Sequence, residues 1–168
     1  MTEKVIDVVL TAAYSVTGRW NEEYEELDVR RAQRVLDEWG LGSFTDRTFG
    51  ELSDGEQKRV QIARAVMTDP EILFLDEPAA SLDLGARESL VRTLGGYAQS
   101  SDSPAIVIVT HHVEEIPAGF THALILSSGH IQAAGPIDDV LTDATLSEAF
   151  GIALTVTKDA GRFTARAA

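Results

Sequence analysis

The run Ile72-Leu73-Phe74-Leu75, unbroken by any polar residue and closing on Asp76-Glu77-Pro78, constrains the fold more than any other stretch of the chain. A short all-apolar run bounded by turn residues reads as a central parallel strand covered on both faces. Parallel strands cannot be joined by a tight turn and need a crossover, most often a helix. The sequence supplies one in Leu84–Ala98, which carries Leu90, Val91, Leu94, Tyr97 and Ala98 on one stripe, although Gly95-Gly96 weakens its end. A polar loop, Gln99 to Pro104, leads to Ala105–Val109, a second buried strand, and Ala123–Leu126 reads as a third. Strands alternating with helices argue an α/β core with a parallel sheet.

The first fifty or so residues are a helical addition to that core. Residues 5–16 repeat apolar positions at helical spacing, and Gly18 ends the pattern. In 29–39, Ala32, Val35, Leu36 and Trp39 fall at i, i+3, i+4 and i+7, with Gly40 as the C′ residue. A third helix is expected from about Glu56 to Met67, deeply buried because its apolar residues occupy more than one face. Val113–Ile116 reads as a short helix. Ser128-Gly129 turns into Ile131–Ala133, and Gly135-Pro136 starts a small helix. Leu146–Phe150 follows as helix, then Leu154–Thr157 and Arg162–Ala165 form a hairpin around Asp159-Ala160-Gly161. No internal repeat or low-complexity segment interrupts this order.

Composition narrows the function classes. The 168 residues suffice for one compact domain with a core. A formal charge of −13 argues against nucleic-acid binding, which relies on Lys and Arg, and against direct adsorption to an anionic membrane. No apolar run is long enough for a transmembrane helix, and Met1-Thr2-Glu3-Lys4 does not open a signal peptide. Zero cysteines rule out disulfides and thiolate metal sites and fit a reducing compartment. The acidic run Glu22 to Asp28 reads as a solvated surface segment.

Several polar clusters fall at the ends of these elements, and each has a plain structural reading beside a functional one. Ser53 and Glu56 have the S-x-x-E spacing of a capping box, while a helix start with free N–H groups is also a ready anion site. Gly55 would let a phosphate approach the backbone there. Asp76 and Glu77 stand beyond the carboxyl end of a parallel strand, where ligands gather in open α/β sheets, but they also suit a merely polar strand end. A carboxylate at that place can hold Mg²⁺, and its neighbour can deprotonate a water. Pro78 biases Glu77 towards an extended backbone, so the two side chains would diverge. Asp83 suits an N-cap for the helix from Leu84. His111, after Thr110, is either a structural histidine or a functional one, with His112 beside it, and His122 and His130 have no metal-site spacing.

Taken together, Leu52-Ser53-Asp54-Gly55-Glu56-Gln57, Asp76-Glu77-Pro78, Ser81-Leu82-Asp83 and Thr110-His111 resemble the signature, Walker B, D-loop and switch-histidine motifs of the ABC-type ATPases. Asp76 follows Leu52 by 24 residues and His111 follows Asp76 by 35, in the family's order. The resemblance covers nearly the whole chain. It implies the C-terminal part of a P-loop NTPase, RecA-like core, with an ABC helical subdomain. Residues 1–68 would be that subdomain, 69–128 the α/β core and 129–168 a C-terminal hairpin with small helices. Asp54 and Glu56 stand where many members have Gly and Gln, which lowers the local positive potential.

The family's P-loop, G-x-x-x-x-G-K-[ST], is missing: the only lysines are Lys4, Lys58 and Lys158, and none follows a glycine. The resemblance implies ATP and Mg²⁺ as cofactors. Asp76 would bind the metal, Glu77 would be the catalytic base and His111 the γ-phosphate contact. Ser53, Gly55 and Glu56 would clamp the ATP of a second ABC ATPase domain, and Asp83 would reach across that interface. It further implies a transporter subunit, cytoplasmic and held to the inner face of the membrane by a permease, inactive alone for want of a P-loop. A non-catalytic module lending its signature to a complete partner, and a soluble non-transport ABC protein, are the alternatives. In this fold the P-loop strand lies between Ala105–Val109 and Ala123–Leu126. The chain is therefore expected either to pair those strands directly or, as the favoured outcome, to self-associate through their edges.

Overall fold

The structure, a computed structural model, describes residues 2–14 and 24–168. Within these the chain divides into two units, Met1–Val109 and Thr110–Ala168.

In the first unit, helix α1 (Val5–Leu10) runs into a 3₁₀ turn (Thr11–Tyr14), and the end of the helix expected over residues 5–16, with Gly18 after it, lies outside the described residues. The start of the acidic run, Glu22-Glu23, lies outside them as well. Helix α2 (Glu26–Glu38) ends at Trp39, and Gly40, at φ +66°, takes the left-handed conformation that ends helices. Helix α3 (Asp54–Val66) begins two residues before the expected start because Ser53 caps it. Strand β1 (Ile72–Asp76) and strand β2 (Ala105–Val109) pair in parallel, Ile72 opposite Ala105 and Asp76 opposite Val109. Helix α4 (Leu84–Ala98) is their crossover, unbroken by Gly95-Gly96. The core gathers Val5, Val9, Leu36, Trp39, Leu41, Val60, Leu90 and Leu94, all essentially inaccessible, with Tyr97 tilted against Trp39 at 5.3 Å between ring centres.

The strands depart from expectation in one respect. Leu73 and Leu75 point into the core with Ile106 and Ile108 packed beside them, whereas the alternate residues face outward. Phe74 is 70% exposed, and Ile72, Val107 and Val109 lie open on the same side. The two strands are therefore covered on one face, not two, because α3 and α4 supply a single apolar layer. Among the described residues β2 pairs with β1 alone.

The second unit is built from hairpins. Strands β3 (His122–Ser127) and β4 (His130–Pro136) are antiparallel, joined by Ser128-Gly129. Both turn residues have positive φ, 51° and 77°, which matches a two-residue turn to the strand twist. Gln132 is the extra residue where the register shifts between Ile125 and Leu126. Helices α5 (Ile137–Val140) and α6 (Asp143–Phe150) lead to strands β5 (Leu154–Asp159) and β6 (Arg162–Ala167), turned at Ala160-Gly161. Ile137, Val140, Leu141, Leu146 and Phe163 form its core. Val113–Ile116, expected as a short helix, holds a single 3₁₀ turn, Val113–Glu115. No helix among the described residues is long and apolar enough to cross a membrane.

Candidate functional site

The start of α3 is a complete capping box. The Glu56 N–H donates to Ser53 Oγ at 3.4 Å, while Glu56 Oε2 accepts from the Ser53 backbone N–H and from its hydroxyl, each at 2.8 Å. These bonds to the ionised carboxylate hold the Glu56 pKa below its ordinary value. Ser53, exposed at the helix N-terminus, thus caps the helix and still lies where the positive end of the macrodipole faces solvent.

Gly55, one position inside the helix, faces inward. A β-carbon placed on it would stand 2.7 Å from Ala86 Cβ, too close for either helix to keep its place. The small residue is required by the contact between α3 and α4. The approach of a phosphate, for which the sequence suggested a glycine, is not the constraint visible here. The same Ala86 donates its N–H to Asp83 Oδ1 at 2.8 Å, the N-cap bond of α4. Ser53, Gly55, Glu56 and Asp83 are thus gathered at two helix starts that touch through Gly55 and Ala86. The sequence places Asp83 as a cap but gives no sign of this contact, because Ala86 is an ordinary helix residue.

Asp76 and Glu77 stand exposed at the carboxyl end of β1. The Glu77 N–H extends the ladder, donating to the Val109 carbonyl at 2.8 Å, and the Glu77 carbonyl accepts from Ala80 N–H at 3.1 Å. Glu77 is not extended, as its place before Pro78 suggested, but left-handed at φ +42°. The chain must turn back at once into Ala79-Ala80 while keeping that ladder bond, and the turn outweighs the bias from proline. A non-glycine residue held in this region stores on the order of 1–3 kcal/mol, a feature that clusters at functional sites. Beside it, a shallow cleft of about 170 Å³ runs between α3 and β1, lined among others by Lys58, Gln61, Phe74, Asp76 and Pro78. Lys58 sits within α3, a helix and not a phosphate-cradling loop.

In the second unit His111 lies exposed in the turn after β2, its ring 4.1 Å from that of His112. The Thr110 hydroxyl donates to Glu115 Oε2 at 2.5 Å and accepts from His112 N–H at 3.1 Å. Glu115, which the sequence did not single out, is buried. Among the described residues no group of three or more His, Cys, Asp or Glu side chains could enclose a metal ion.

The fold is that of the ATP-binding cassette, an α/β arrangement of the P-loop NTPase kind. A solved ATP-binding cassette of an ABC transporter in its ADP conformation superposes with TM-score 0.72 at 25% identity, over 89% of this chain and 63% of that one. A chain of an ABC transporter in an inward-facing conformation superposes with TM-score 0.79 at 23% identity, over 99% of this chain and 66% of that one. Residues 4–80 match the ABC_tran family model, described as ABC transporter. The chain is similar to the Bacillus subtilis (strain 168) protein named Uncharacterized ABC transporter ATP-binding protein YlmA, 39% identical over 148 residues, 88% of this chain and 56% of that protein. It spans a little over half the length of the curated relatives it matches.

Proposed function

We propose that the chain is part of an ABC transporter ATP-binding subunit, the part that carries the clamp, metal ligand and base of ATP hydrolysis but not the phosphate seat. One observation supports this most: the helix starts capped by Ser53 and Asp83, which are the signature and D-loop positions, are packed together through Gly55 and Ala86. That arrangement presents Ser53 and Asp83 as a unit to a second ATPase domain. Phosphoryl transfer to water is mainly positioning and charge stabilisation, so the roles are simple. Ser53, Gly55 and Glu56 close on the partner's ATP, Glu77 orients and deprotonates the attacking water, and His111 contacts the γ-phosphate.

The donor set fits Mg²⁺ in a particular way. Asp76 offers one exposed carboxylate with no cluster of other ligands among the described residues, which suits an ion shared with substrate phosphates, where one or two carboxylates suffice. Asp76 would hold it directly or through water, and the ion would neutralise charge developing on the phosphates.

The partners in this reading are a second ATPase domain and a membrane permease, with the chain cytoplasmic at the inner face of the membrane. The missing G-x-x-x-x-G-K-[ST] supports the further statement that the chain alone hydrolyses no ATP. The same absence favours a second reading, a non-catalytic module that lends its signature helix to a complete partner. The test is Mg²⁺-dependent ATP hydrolysis by the chain alone and after a P-loop-bearing polypeptide of the same family is supplied in trans. No turnover alone, turnover in the assembly and its suppression by Glu77→Gln are expected. Turnover by the isolated chain, or a Glu77→Gln assembly working at near the parental rate, would overturn the assignment. Turnover that needs a complete partner and ignores Glu77 would favour the module.

A further inference from the structure

A buried carboxylate needs an explanation, and Glu115 is one, with the Thr110 hydroxyl donating to it. It is 5% exposed, and the bond it accepts from Thr110 Oγ, at 2.5 Å, is short and charge-assisted. Thr110 directly precedes His111. Its hydroxyl also accepts the backbone N–H of His112, the residue directly after His111, at 3.1 Å. The Glu115 N–H closes the loop by donating to the His112 carbonyl at 3.1 Å. Both flanks of His111 are thereby tied to one buried side chain, and His111 is the exposed apex of the turn.

The 3₁₀ turn that carries Glu115 is itself fastened to the C-terminal hairpin. The Arg162 guanidinium donates to the Glu114 carbonyl, and Ala165 N–H donates to Glu114 Oε1 at 3.3 Å. Glu115 therefore does not move freely with the loop it holds. A charge-assisted bond to a group anchored on a hairpin fixes the backbone on either side of His111 more firmly than the exposed loop could by itself.

We propose that Glu115 is a positioning residue: through Thr110 it fixes the turn that presents His111, and the β5–β6 hairpin is the base against which it acts. The purpose of the geometry, presenting an imidazole to a γ-phosphate, rests on the function proposed above. The geometry itself does not, and it can be measured without nucleotide.

The experiment is solution NMR on the full 168-residue chain, following the Thr110 hydroxyl proton, the exchange of the His112 amide and the ¹⁵N shifts of the His111 imidazole. In the parent a slowly exchanging Thr110 hydroxyl is expected. Glu115→Met should abolish it, speed His112 exchange about tenfold, the low end of what a bond to a charged group supports, and shift the His111 imidazole. Glu115→Gln, whose side-chain oxygen still accepts, should restore all three. If Glu115→Met unfolds the second unit, Thr110→Val against Thr110→Ser decides, because only the serine keeps the hydroxyl. A folded Glu115→Met or Thr110→Val chain with unchanged His112 exchange and His111 shifts would overturn the proposal. So would failure of both conservative variants to restore them. Absence of ATP hydrolysis in an assembled complex would remove the function and leave these resonances as they are.

Discussion

Gly55 and Ala86 stand so close that a single added carbon on the glycine would lie 2.7 Å from the alanine methyl. The two residues open helices whose caps, Ser53 and Asp83, are the proposed clamp positions. Gly55→Ala should destabilise the first unit by about 1–3 kcal/mol, the usual cost of overpacking, since a helix and not a flexible side chain has to move. Adding Ala86→Gly should recover much of that loss, giving a coupling energy between contacting sites. Urea denaturation of the two single variants and the double variant measures it, and purely additive effects would show that the helices do not meet here.

Glu56 gives the acid limb of the stability curve a specific contributor. Its folded pKa lies below the ordinary 4.5 because Ser53 hydrogen bonds to the charged form. A depressed carboxylate pKa contributes stability that is fully present above the unfolded pKa and is lost as pH falls through the folded one. Glu56→Gln should therefore cost stability near neutrality and progressively less as pH falls below 4.5 and through the lowered folded pKa, flattening the acid limb. Ser53→Ala should cost about 1 kcal/mol as a lost N-cap. Parallel acid limbs in parent and Glu56→Gln would contradict the capping box.

The left-handed backbone at Glu77 separates strain from chemistry. Glu77→Ala and Glu77→Gly both remove the carboxylate, but only glycine relieves a φ of +42°. Glycine should be the more stable of the two by about 1 kcal/mol, the reverse of the order in an ordinary helix or strand. Thermal melts of both variants decide it.

The open face of β1 and β2 should make the isolated chain associate. Phe74, Ile72, Val107 and Val109 are exposed together, and among the described residues each of the two strands pairs only with the other. Light scattering over a dilution series is expected to show a mass that rises with concentration, and Phe74→Lys should shift the curve towards monomer. A monomer at every concentration, with Phe74→Lys indistinguishable from the parent, would contradict it. The charge of −13 works against association, so raising salt should strengthen it.

What could be read from the residues was local. Caps depend on three or four neighbours, so the Ser53–Glu56 box and the Asp83 cap are visible as spacings, as are the two hairpin turns and the α4 crossover. Coverage depends on what else is present, so Ile72–Leu75 announced an appetite for two apolar layers where α3 and α4 supply one. The rotation of Glu77 escaped because Pro78 is a local bias, and the bond to Val109 that overrides it comes from another strand. The Gly55–Ala86 contact and the buried Glu115 escaped for the same reason: neither residue has a distinctive neighbour in sequence. As for the proposed roles, motif order suggested them, and the structure adds where the side chains stand.

Ile72, Phe74 and Asp76 occupy alternate positions of β1 and so share the open face of the sheet. Whatever comes to lie over the two apolar side chains must also strip water from along the flank of the carboxylate. Covering the apolar face and removing water from beside the Asp76 carboxylate are then a single event. In the proposed function, the carboxylate assigned to Mg²⁺ and the apolar side chains that a further layer would cover are thus neighbours on one strand, and the same event would reach both.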